Sequence, residues 1–137
     1  MDYRAILFHK QATSARLRFL RFAYGSVCAM RAIPPLAQVY VGRQENLRLH
    51  PASVLRHLER ELGFEPGSLR AEQGYRFMVG VPNENISVFL VAIDSIDPPF
   101  ELAQRIGAEF IDLTQARGLT QVELELLRGA YELVLGG

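Results

Sequence analysis

Asp94 and Asp97 are the acids of this 137-residue chain best placed to act as a pair. They stand in Asp94-Ser95-Ile96-Asp97-Pro98-Pro99, directly after the apolar run 86–93. Strand ends and the loops after them are where sites collect, and two carboxylates there would suit cation binding or acid–base work. The same residues have a plainer use, because an aspartate before Pro-Pro can accept from the first amides of a helix. His50 is the third candidate for chemistry, and it too can serve structure, since His50-Pro51 opens a helical pattern. His50 and His57 are seven residues apart. A helix brings metal ligands together at three or four. No metal and no cofactor is therefore expected.

Cys28 would need a neighbouring base and an electropositive setting to be a nucleophile. Gly25-Ser26-Val27-Cys28-Ala29 supplies neither, and a free cysteine of this kind is usually buried. In Arg16-Leu-Arg18-Phe19-Leu-Arg21-Phe22, cations alternate with aromatic rings. Binders of single-stranded nucleic acid combine those two features, which makes Arg16, Arg18 and Arg21 the nucleic-acid candidates. A short amphipathic helix docked on the acidic half of the chain has the same pattern, and a pI near 6.8 is far from that of a nucleic-acid binder. No phosphate loop, dinucleotide fingerprint or nucleophile elbow occurs.

The elements that must hold these residues are those of a globular chain, 49% hydrophobic and 22% charged. With one cysteine there is no internal disulfide. No apolar run approaches the ~20 residues of a bilayer span, and the first residues have no signal-peptide pattern. A cytoplasmic protein that does not enter a membrane is the expectation. Net charge is zero, but residues 1–50 carry an excess of +6 and residues 51–137 an excess of −6. Either a basic binding surface or two mutually attracting parts of one fold would produce that asymmetry.

Residues 36–41 read as a strand. Residues 51–62 read as a helix with Val54, Leu55, Leu58 and Leu62 buried and Arg56, Glu59, Arg60 and Glu61 in solvent, closed by Gly63. Residues 75–81 and 86–93 form a hairpin through Pro82-Asn83-Glu84-Asn85. Residues 99–116 read as a helix with Phe110 on its apolar side, and Thr120-Gln-Val-Glu123 as a capping box that starts the last helix. The order predicts an α+β domain spanning 1–137. Its core is a small mixed or antiparallel sheet of the split β-α-β kind, in spatial order 1-3-2, with three to four helices on it. Residues 3–9 are a candidate extra N-terminal strand beside 36–41, and 13–24 a candidate helix. A second reading makes residues 1–30 a peripheral extension.

The last helix is apolar over more than half its circumference, wider than one-sided packing needs. Leu124, Tyr131 and Leu135 are its candidate interface residues, and a homo-oligomer or another protein is the expected partner. The leading functional expectation is a non-catalytic interaction or ligand-binding module that self-associates through this helix. Two alternatives stand beside it: a nucleic-acid binder using the basic N-terminal segment, and a small enzyme using Asp94 and Asp97.

Overall fold

The computed structural model describes residues 3–42, 50–82 and 84–136. Asp2, Arg43, Glu45 and Arg48 of the charge count, and Asn83 of the hairpin turn, lie outside the described residues. The chain runs β1 (Tyr3–Lys10), β2 (Leu17–Phe22), β3 (Cys28–Ala29), β4 (Gln38–Val41), α1 (Pro51–Leu62), β5 (Leu69–Ala71) and β6 (Phe77–Val81). It continues with β7 (Glu84–Ile93), α2 (Phe100–Arg105), β8 (Ala108–Ile111), a 3-10 turn (Leu113–Gln115) and α3 (Gln121–Leu135).

Two apolar strands make the middle. β1 and β7 lie parallel, from Tyr3 opposite Ser87 to Phe8 opposite Ala92. Both are covered on two faces, so apolar side chains occupy almost every position. Ile6, Phe8, Ile86, Val88 and Leu90 face α3, and Ala5, Leu7, Phe89 and Val91 face α1 and α2. The other pairings are antiparallel, and the sheet has eight strands in the path β4-β6-β7-β1-β2-β8, with β3 on β1 and β5 on β7. The architecture is therefore three layers, with α3 on one side of a mixed sheet and α1 and α2 on the other.

This is α+β, but it is not the small three-stranded sheet in order 1-3-2. β4 pairs with β6, and β6 with β7, so 77–81 lies between the other two. β1 is the second neighbour of β7 and not an addition beside β4. Residues 1–30 are no peripheral extension where they are described, because β1, β2 and β3 supply much of the core. The expected helix at 13–24 is β2. Its Leu17 and Phe19 pack toward α3, while Leu20 and Phe22 pack the other way. Burial on both faces erases the two-residue alternation, and arginines three apart at 18 and 21 then imitate a helix. The expected helix at 99–116 stops at Arg105. Gly107 adopts φ +70°, a left-handed conformation that suits glycine, and the chain leaves as β8. Phe110 is thus a half-buried strand residue opposite Leu20, edge-on to Phe100 at 5.7 Å.

α1 begins as the sequence predicts. His50 Nδ1 accepts from the Ala52 amide, Pro51 holds the first position and Gly63 caps in the left-handed conformation. Glu59, expected in solvent, is buried, and its carboxylate accepts from the Gly67 and Leu69 amides at 2.9 and 3.3 Å. α3 also starts where expected, with Thr120 Oγ1 accepting from the Glu123 amide. The Glu123 carboxylate does not turn back to complete a box. It is 2% exposed and accepts from Ser26 Oγ at 2.7 Å and from the Val27 amide at 3.0 Å.

Candidate functional site

The structure separates the residues singled out for chemistry. Asp94 and Asp97 both follow β7 but turn to opposite sides of it. Asp94 pairs with Arg70 of β5 at 2.7 Å, on the surface. Asp97 accepts from Gln11 Nε2 at 3.1 Å, beyond the end of β1. It is not a helix cap, since α2 starts after Pro99 with no side-chain cap. The turn between the two acids is pinned by His9. His9 is fully buried, its Nε2 donates to the Ser95 carbonyl at 2.8 Å, and its Nδ1 has no partner among the described residues. His50 stands at the start of α1. The other end of that helix is the one tied through Glu59 to the β5 strand beside Asp94. Among the described residues, no group of three His, Cys, Asp or Glu could hold a metal ion.

The three arginines are likewise distributed. Arg16 Nε and Nη2 bond the two oxygens of Asp112 at 3.2 and 2.9 Å. Arg18 donates to Gln11 Oε1 and stands 5.9 Å from the Phe100 ring centre. Arg21 lies beside Gly118, ahead of α3. Cys28 is fully buried; burial first, then the nearby Glu123 carboxylate, pushes its thiol far above the ordinary range. That makes it a core residue, not a nucleophile.

What the fold assembles instead is a surface on α3. The centre of the helix, Leu126, Leu127 and Ala130, is 0% exposed against the sheet. One flank is packed down on the sheet at its middle, with Leu133 at its outer edge 38% exposed. A β-carbon at Gly129 would collide with the Phe77 ring, Leu133 packs over Gly74, and Tyr75 Oη donates to the Leu126 carbonyl at 2.8 Å. The opposite flank carries Leu124, Tyr131 and Leu135. Leu124 and Leu135 are half-buried and Tyr131 is 41% exposed. Beside them runs a groove of about 330 Å³ whose walls include Leu17, Leu113, Tyr131 and Leu135. Arg16 and Asp112 form its rim. The hydrogen bonds from Arg16 hold the Asp112 carboxyl below the ordinary aspartate range, with partial burial working the other way and the arginine charge assisting. The pairing joins the basic part of the chain to the acidic part.

The sequence points to Leu124, Tyr131 and Leu135 but not to the groove, because β2 and the 3-10 turn that wall it carry helix-like patterns. Gly129 was the overlooked signal. Glycine inside a helix costs about 1 kcal/mol relative to alanine, and its presence there suggests a close approach.

A larger pocket, about 450 Å³, opens beside Pro51 with Glu72 and Arg76 on its lining. None of the sequence candidates for chemistry lines it.

No protein-family model and no curated protein matches the chain. Among the described residues, no helix is long and apolar enough to cross a membrane.

Proposed function

We propose that the protein is a non-catalytic interaction module that pairs with a second copy of itself through the open flank of α3. One observation carries this reading: Tyr131, 41% exposed, and the half-buried Leu135 stand next to a groove with apolar walls. An apolar patch rimmed by polar groups marks an interaction site more often than an accident of packing. A two-fold dimer covers such a patch with a copy of itself. The acids offered for catalysis support the reading indirectly, since each is already held by its own partner, Asp94 by Arg70 and Asp97 by Gln11. Nucleic-acid binding has less behind it, because Arg16 and Arg18 are engaged within the chain. A cytoplasmic role fits a chain that uses its one cysteine as core.

Light scattering across a concentration series tests the proposal. The wild-type chain is expected to reach the mass of a dimer, and Tyr131→Ser combined with Leu135→Ser to remain a monomer with little loss of thermal stability. A wild-type monomer at the highest concentration would end it.

A further inference from the structure

We infer that the two copies pair antiparallel along α3, about an axis passing between Arg128 and Tyr131. Arg128 of each copy then lies against the partner subunit's Tyr131 and the partner subunit's Glu132. This rests on the self-association reading above and adds the orientation and register that the charges and the apolar row together select.

The helix surface carries two neighbouring rows. The apolar row is Leu124, Tyr131 and Leu135. Beside it, Glu125, Arg128 and Glu132 are all exposed. Spacings of three and four keep the charged row on one helical stripe. Glu125 and Arg128, and Arg128 and Glu132, are at distances along the chain that permit ion pairs within a helix. Neither pair forms, and none of the three has an ion-pair partner among the described residues. The row presents negative, positive and negative charge to whatever covers the apolar row.

A second copy can meet that pattern in few ways. A parallel arrangement sets Arg128 on the same residue of the other copy and each glutamate on its own counterpart, and like charges in juxtaposition oppose binding. An antiparallel arrangement centred on Arg128 again brings two guanidinium groups together. Matching the ends of the apolar row, with Leu124 over the partner subunit's Leu135, moves the centre past Arg128. Each Arg128 then meets an aromatic face and a carboxylate, and both contacts occur twice by symmetry. An arginine over a tyrosine ring gains from cation–π attraction, and the opposed carboxylate fixes the register. The same alignment seats the partner subunit's Leu124 over Leu135, one of the residues lining the groove.

A contact built on one helix from each copy falls below the ~1,200 Å² of a standard stable complex. A reversible dimer is the expectation. Sedimentation equilibrium of the full chain tests the register with Arg128→Glu, Glu132→Arg, both together, and the milder Arg128→Gln. Circular dichroism melts establish that each variant folds, which the exposure of both positions favours. Either single reversal is expected to weaken the dimer by about tenfold or more, a size typical of opposed charges at an interface. Arg128→Gln is expected to weaken it less, and the double reversal to restore it. A wild-type dimer that ignores the single reversals, or is not restored by the double, overturns the register and leaves self-association standing. A wild-type chain that stays monomeric overturns both.

Discussion

The two flanks of α3 carry similar apolar residues and meet different fates. On one, Gly129 lets the helix come down onto Phe77 and Tyr75 bonds the Leu126 carbonyl, while Leu133, 38% exposed, packs over Gly74 at the outer edge. On the other, Tyr131 stands 41% exposed over a groove. What separates them is the partner each flank is given, not the composition of the helix. A glycine on one side removes the spacing a side chain would impose. On the other, the Arg16 and Asp112 pair lies along the groove and leaves Tyr131 uncovered. Width of an apolar arc alone therefore does not mark an interface. Part of this arc is accounted for within the chain, and the remainder is what a partner would cover.

If the packed flank depends on close approach, Gly129→Ala is destabilising even though alanine is the better helix former by about 1 kcal/mol. Forcing a methyl group against the Phe77 ring is expected to cost about 1–3 kcal/mol net, the usual range for overpacking. A urea midpoint equal to or above wild type would show that the flank is looser than its geometry. Next in size is Tyr75→Phe, which removes the hydrogen bond to Leu126 and little else. About 1 kcal/mol is expected, as for a typical internal hydrogen bond, read as a lower thermal midpoint with self-association unchanged.

The smallest effect belongs to the rim of the open flank. Arg16→Ala releases Asp112, whose titration, followed by carboxyl NMR, moves up toward the ordinary aspartate value of ~3.9. Because the folded carboxyl is held low, the pairing stabilises the fold above the ordinary aspartate range. Its contribution shrinks as pH falls through the folded value, and it is absent once the group is protonated in both folded and unfolded chains. The wild type and the variant should therefore differ slightly at neutral pH and converge in acid. A difference that persisted or grew in acid would locate the effect elsewhere.

How much of this was legible depended on whether a segment had one solvent face. α1 has one, and its His50, Pro51 and Gly63 signals held to the residue. The start of α3 was equally readable from Thr120. β7 was recognisable as interior, since the run 86–93 is apolar at almost every position, although the strand itself begins two residues earlier, at Glu84. Its neighbours were not, because the apolar run at β1 records that it is buried and not beside what. β2 and β8 were lost for related reasons. Covered strands shed their alternation, and Gly107, just past the end of α2, sits inside a helix-like pattern that continues beyond it. Glu59 and Glu123 misled in another way. Their charge argues for solvent, but each satisfies two hydrogen-bond donors of a neighbouring segment, a long-range fact that no local spacing announces. For the candidate site, the residues of the open flank could be read off helical spacing, while the groove beside them required the topology.

The buried carboxylate of Glu123 also makes one backbone amide a gauge of the last helix. The Val27 amide is held by no strand ladder; it donates to Glu123, ninety-six positions away in the chain. Exchange of that proton with solvent deuterium therefore requires α3 to lift from the sheet, or the whole chain to unfold. If the C-terminal helix detaches as a unit of its own, the Val27 amide should exchange at the rate of the α3 amides, well ahead of those in the β1 and β7 pairing. A single resonance would then report the docking of a helix at the other end of the sequence, and would do so in the free chain and in the pair alike.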